Sequence, residues 1–336
     1  MTIKLLFSFF IALAVSSVFG KYYIPWLRKQ KAGQEIKDIG PKWHESKAGT
    51  PTMGGAMFIL ASAIALATVG FDSFLKGNFV HLLVFAFAFV FGLIGFLDDW
   101  EKIKKKQNLG LTAKKKFALQ LVAAIIFIIV LKLLGYLKTE LYIPYFDKTV
   151  NINPYVYYVF AAFVIVGTVN AVNITDGVDG LASGTSLPVF LFYSLLPYCW
   201  GVRYLELGIF SSAMLGGLVG FLLYNYNPAK VFMGDTGSLF LGGAVAALAF
   251  AYDMPLILIT LGIIFIIETL SDIIQVGYFK LSHGKRIFKM APFHHHLEMG
   301  GWFGKKWKEK EIFWLFTSVS FIFAVISFLG VFNRFS

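Results

Sequence analysis

Residues 79–102 read FVHLLVFAFAFVFGLIGFLDDWEK, and this stretch decides what kind of protein the chain is. Its first 19 residues carry no formal charge. As a helix rising about 1.5 Å per residue, such a run crosses most of a hydrocarbon core about 30 Å thick. It ends abruptly in Asp98 and Asp99, with Lys102 one turn beyond. Working outward, nine further apolar stretches read as spans: 5–25, 52–71, 117–135, 155–170, 181–199, 207–224, 236–252, 255–277 and 312–332, of which 155–170 is the shortest. The predicted fold is an all-α polytopic membrane protein with ten transmembrane helices, one domain over residues 1–336.

Composition agrees. Of 336 residues, 57% are hydrophobic and 15% charged, where a soluble domain carries about a quarter charged. That leaves too little polar surface to cover an aqueous globule. The first stretch has the Lys4 and apolar run of a signal peptide, but the many apolar segments after it favour a first span. A single cysteine, Cys199, excludes an internal disulfide framework and a cysteine-rich metal site. The net charge of +11 would suit nucleic acid, but its distribution does not. With ten spans, loops 26–51, 98–116, 171–180, 225–235 and 278–311 share one face and hold 22 Lys and Arg, against six on the other face with both tails. Positive charge favours the cytoplasmic side, so both termini are expected outside and no nucleic-acid partner is expected. The outer loop 136–154 reads as a short hairpin.

The acids and histidines gather on the same cytoplasmic face. Asp98 and Asp99 lie in DDWEK, Asp176 and Asp179 in NAVNITDGVDG (170–180), Asp235 in NYNPAKVFMGDTGS (225–238), and His294, His295 and His296 in APFHHHLE (291–298). Each has a bland reading. Adjacent aspartates suit a solvated helix end beside Lys102, Lys104, Lys105 and Lys106, and Asn, Asp and Gly make turns and caps. Three acid-rich, glycine-spaced loops on one face point further. Hard oxygen donors of this kind suit Mg²⁺ shared with substrate phosphates. Lys47, Lys102, Lys114, Lys115 and Lys116 add counter-charge, and GTPTMGG (49–55) offers backbone amides to an anion without forming a Walker motif. The triple histidine lacks the i, i+4 spacing of a helical zinc site. Glu268 and Asp272 lie four apart inside the ninth span, where acids are costly and mark a cavity, an ion path or a polar contact.

Taken together, KAGTPTMGG (47–55), GFLDDWEK (95–102), NLGLTAKKK (108–116), NAVNITDGVDGLA (170–182), NPAKVFMGDTGSL (227–239) and PFHHHLE (292–298) resemble the polyprenyl-phosphate N-acetylhexosamine-1-phosphate transferases, in family order and over nearly the whole chain. The histidine segment resembles the muramoyl-pentapeptide branch. The resemblance implies a homodimer in the bacterial inner (plasma) membrane with its active site on the cytoplasmic face. Its partners would be UDP-MurNAc-pentapeptide, undecaprenyl phosphate and the bilayer, its cofactor Mg²⁺, and its products UMP and the first lipid intermediate of peptidoglycan. By position, Asp235 would ligate Mg²⁺, Asp98 would be the base toward the lipid phosphate, and Asp99 would sit beside metal and diphosphate. Asn173, Asp176, Gly177 and Asp179 would line the uridine side, with Phe232 stacking on uracil. Lys47, Thr52, Asn225, Gln275, His294 and His295 would complete the cleft, and Lys114 would be a further functional lysine. Two positions depart from the family pattern: Asp272, where an apolar residue is usual, and Ile39-Gly40-Pro41, where an acid precedes Gly-Pro.

Phosphoryl transfer between two anions needs alignment and charge neutralisation more than covalent help. Direct attack by the lipid phosphate is the simpler route, and a phosphoryl-aspartate intermediate is the alternative. The ninth span, with Glu268, Asp272, Gln275 and Gly277, is expected to bend into a groove for the prenyl tail. The competing functional classes are a cation-coupled transporter using Glu268 and Asp272, and a structural scaffold in which the aspartates are dispensable.

Overall fold

A computed structural model describes residues 1–30, 47, 49–105, 109–332 and 334. Ile39-Gly40-Pro41 and Lys106 lie outside the described residues. All ten predicted stretches fold as helix: α1 (Thr2–Lys29), α2 (Ala56–Val69) with a short α3 (Phe71–Leu75), α4 (Val80–Lys105), α5 (Ala113–Leu133), α6 (Pro154–Thr175), α7 (Leu181–Trp200), α8 (Leu205–Asn225), α9 (Gly234–Ala251), α10 (Leu258–Leu261) with α11 (Ile263–Leu281), and α13 (Glu309–Val331), which follows the short α12 (Phe293–Glu298). Seven of the described helices are long and apolar enough to cross a membrane, and an eighth crossing results if the bent pair around Gly262 is one span. α2, with 14 residues, is too short to count among the seven.

The predicted hairpin forms between α5 and α6. Its strands β1 (Glu140–Ile143) and β2 (Lys148–Asn151) pair antiparallel, with Leu141 opposite Val150. Tyr145 in the turn donates its N–H to Gly330 O at 2.8 Å, tying the hairpin to the end of α13.

α8 and α9 form the buried centre. α9 packs between α4 and α6, α8 lies along α1, and α7 lies between α8 and α13. One stripe of α1 is buried at four-residue spacing, with Ser8, Ala12, Ser16 and Gly20 in its middle. It meets the small residues of α8, where Gly216 and Gly220 abut the α1 backbone at Phe9 and Leu13. Lipid supplies no hydrophobic drive between spans, so close backbone packing over small side chains holds such a pair together.

Helix ends differ from the hydropathy reading wherever a distant partner satisfies polar side chains. α4 continues past residue 97 to Lys105, which puts Asp98 and Lys102 one turn apart inside the helix. α6 continues past 170 to Thr175, because Asn170 donates to Gln120 at 2.7 Å and Asn173 donates to Asp235 at 2.6 Å. α2 starts at Ala56 rather than at 52, since the backbone before it bonds to residues 232–233: Phe232 N–H donates to Pro51 O, and the N–H groups of Gly54 and Gly55 donate to Phe232 O and Met233 O. The ninth span breaks by 82° near Gly262, not at the Glu268–Gly277 segment expected to bend, which is continuous helix in α11.

Candidate active site

Three carboxylates converge where α4 meets the start of α9. Ligand oxygens of Asp98, Asp99 and Asp235 lie within 4.8 Å of one another. Gly95 permits this approach, because a Cβ there would overlap the backbone of Asp235. Gly234, at φ +69°, turns the chain into α9 at a point where a side chain would meet Asp99 and Thr52.

Each acid has a different set of partners. Asp99 accepts the N–H groups of Asp235 and Thr236 at 3.2 and 2.9 Å and the Thr236 hydroxyl at 2.7 Å. It thereby caps α9 from another helix, where unpaired amides favour a negative charge. Asp235 itself lies in the first turn and is not the N-cap. Asp98 accepts Leu111 N–H at 2.8 Å and faces Lys102 Nζ at 2.6 Å. Asp235 faces Lys102 Nζ at 2.6 Å and Lys116 Nζ at 3.0 Å, and takes a hydrogen bond from Asn173. Two lysines do not cancel three carboxylates, and all the acidic donors are hard oxygens. The residues fit a divalent cation of the Mg²⁺ type.

Beside this cluster stands the 176–180 loop. Asp176 follows the last residue of α6, and burial with the charges of Asp235, Asp99 and Asp179 pushes its carboxyl up to about 8. Asp179 is buried and held by Lys47 Nζ at 2.7 Å, Asn227 Nδ2 at 3.0 Å and Ala229 N–H at 2.9 Å. Glu309, at the start of α13, also pairs with Lys47 at 2.7 Å. Burial works against the Lys47 charge, but the two carboxylates outweigh it and hold the ammonium above its ordinary range.

Of the residues singled out in the sequence, Asp98, Asp99, Asp235 and Asn173 come together directly, with Thr52 beside Gly234. Gly177 abuts His294. Asn225 and Gln275 are buried and serve backbone groups: Asn225 donates to Val231 O at 2.9 Å, and Gln275 accepts Phe288 N–H at 2.9 Å. Phe232 is half-buried, and its N–H donates to Pro51 O. Lys114 is exposed, whereas Lys116 reaches Asp235. The amides of Gly54 and Gly55, offered to an anion on sequence grounds, donate instead to the carbonyls of Phe232 and Met233. His294 and His295 are held by Glu268 and Glu298. Sequence reasoning did not single out Asn227, although it opens the NPAKVFMGDTGSL segment, or Glu309, which lies in none of the quoted motifs. The i, i+4 relation of Asp98 to Lys102 was a legible signal.

Comparison with known proteins gives a consistent picture. Residues 81–253 match the family model described as glycosyl transferase family 4. A phospho-N-acetylmuramoyl-pentapeptide-transferase of Caldanaerobacter subterraneus subsp. tengcongensis is 44% identical over 329 residues, covering 98% of this chain and 99% of that protein. Proteins of the same name from Listeria monocytogenes serotype 4b and Shouchella clausii are each 44% identical, each covering 97% of this chain and 98% of their own length.

Proposed function

The chain belongs to the phospho-N-acetylmuramoyl-pentapeptide transferases of glycosyl transferase family 4, and from that premise we propose the reaction it performs. Phospho-MurNAc-pentapeptide passes from UDP-MurNAc-pentapeptide to undecaprenyl phosphate. An oxygen of the lipid phosphate attacks the phosphorus that bears the sugar, the diphosphate P–O bond breaks, and UMP leaves. The observation that carries this reading is the convergence of Asp98, Asp99 and Asp235 with Lys102 and Lys116. Such a cluster aligns and neutralises anions, which is what phosphoryl transfer demands.

Asp235 would hold Mg²⁺, with Asp98 beside it as the base toward the lipid phosphate and Asp99 positioning both through the start of α9. The ion, when bound, supplies charge neutralisation at the diphosphate. Lys116 and Lys102 orient the carboxylates and meet substrate phosphate oxygens. Asn173 already serves Asp235 and Ser238, so it belongs to the carboxylate cluster rather than to the uridine side. Asp176, Gly177, Asp179 and Phe232 remain for the nucleoside.

The protein is a multi-pass membrane enzyme with all-α spans. The finer arrangement is a reading: α2, α7 and the bent pair α10–α11 complete ten crossings of the bacterial plasma membrane, with both termini outside. The site faces the cytoplasm, and two copies pair. Such a placement meets a lipid phosphate at headgroup level and a nucleotide sugar from water. Glu268, the strongest feature for a transporter, is bonded to His294 within the protein.

The test is UMP release by the detergent-purified protein with UDP-MurNAc-pentapeptide and a short polyprenyl phosphate, in Mg²⁺ or EDTA, with UDP-GlcNAc as rival donor. Mg²⁺-dependent release from the muramoyl donor alone is expected. Release from UDP-GlcNAc instead would overturn the donor assignment. No release from either by folded, lipid-supplemented protein would overturn the reaction.

A further inference from the structure

Glu268 lies on α11, fully buried, among apolar residues. Its carboxylate engages His294 twice. Oε2 lies 2.8 Å from the ring Nδ1, and Oε1 accepts the His294 backbone N–H at 3.2 Å. One acid therefore fixes both the imidazole and the first turn of α12. The opposite ring nitrogen, Nε2, is buried and has no hydrogen-bond partner among the described residues. It lies against Gly177, where an added Cβ would overlap Nε2 and Cε1 of the ring. The loop that Gly177 belongs to also carries Asp176 and Asp179.

A buried imidazole with one nitrogen bound to a carboxylate and the other bare is costly unless something meets the bare nitrogen. The carboxylate sets the tautomer, because Nδ1 donates to Glu268 and the ring's other face is then decided by protonation. Other acidic groups act on the ring as well: Asp272 from α11, and Glu298, which lies 2.6 Å from His295 Nδ1. Burial works against the imidazolium, but Glu268 outweighs it, so the His294 ionisation lies above its ordinary range.

We propose that Glu268 and His294 form a working pair in which Glu268 is a positioning residue, holding the His294 Nε2–H beside Gly177 for an anionic phosphate oxygen of the nucleotide donor. This rests on the transferase reading above. It also gives the intramembrane acid a purpose: its buried charge is balanced by a ring whose far end serves the cleft.

The first measurement is kcat/KM for the nucleotide donor against pH, in wild type and in Glu268→Gln. Activity that needs the imidazolium falls as pH rises through the His294 ionisation. In Glu268→Gln that fall moves toward acid by about one pH unit or more. The variant's deficit then deepens by about tenfold between about pH 6 and about pH 8.5. A purely structural Glu268 predicts a deficit equal at every pH, and that result would overturn the proposal.

The second measurement does not depend on turnover. Histidine-labelled protein is titrated by NMR, with the His294 signal assigned from His294→Asn and inorganic pyrophosphate as the probe. The His294 signal is expected to titrate at lower pH in Glu268→Gln and to move when pyrophosphate is added. An unchanged titration in Glu268→Gln, or a signal indifferent to pyrophosphate, refutes the pair even if the enzyme is active. Wild type lacking UMP release while both NMR shifts occur would refute the transferase reading and leave the pair standing.

Discussion

Replacing Lys116 with Met should damage this enzyme far more than replacing Lys114, two residues away. Lys116 Nζ lies 3.0 Å from Asp235 Oδ2, and its side chain is 17% exposed. At that distance an effective dielectric of about 20 gives a gross attraction of about 5–6 kcal/mol. Removing the ammonium also regains its desolvation cost, and Lys102 still faces Asp235 at 2.6 Å. The net loss is therefore about 2–3 kcal/mol, below the roughly 3–5 kcal/mol for breaking a buried pair because Lys102 still serves Asp235. If the whole of that loss falls on alignment of the reacting phosphates, kcat/KM drops by about 30- to 150-fold. Lys114 is exposed, and an exposed surface change is worth about 0.5 kcal/mol or less, or no more than about threefold. UMP release at saturating lipid and varied nucleotide donor measures both variants. A Lys114→Met enzyme that loses tenfold or more, beside a Lys116→Met enzyme close to wild type, would refute the reasoning and restore the order inferred from sequence.

Two further outcomes follow from the geometry. Gly95→Ala places a methyl group on the Asp235 backbone; overpacking of this kind costs about 1–3 kcal/mol, and displacing the carboxylates by about 1 Å costs about a hundredfold in rate. A lower melting temperature with greatly reduced UMP release is expected, and a fully active, equally stable variant would contradict the close approach of α4 and α9. Asp176, raised to about 8, binds its proton more tightly in the folded than in the unfolded protein. Its contribution to stability is thus fully present below about pH 4 and is lost as pH rises through about 8. Ligand-free Asp176→Asn protein should lose less melting temperature than wild type between about pH 5 and about pH 8.5; parallel curves would show that Asp176 is not held protonated.

Much of the candidate site could be read in the sequence as types of residue, but not as partners. The acids of DDWEK and MGDTGS were singled out by residue type, and Asp98, Asp99 and Asp235 do converge. Glu268 stood out as an acid in an apolar span, marking a cavity, an ion path or a polar contact, and the structure shows a polar contact. Its actual partner, His294, is 26 residues further along the chain. Gly54 and Gly55 had the composition of an anion loop, but their amides are taken by carbonyls near residue 232. Lys114 and Lys116 are indistinguishable by residue type, and only the phase of α5 against α9 separates them.

By itself the sequence determined that this chain is a helical membrane protein, where its helices and hairpin lie along the chain, and which polar loops gather the acids. Those properties follow from transfer of local segments into lipid and from loop charge, both of which are written in consecutive residues. Only the tertiary structure decided where α4 and α6 end, where the ninth span breaks, and which acid meets which base. The ends of α4 and α6 and the pairing of acids with bases depend on whether a polar group finds a distant partner once buried. Burial makes an unpaired group costly, so the partner, and not the local propensity, settles the outcome.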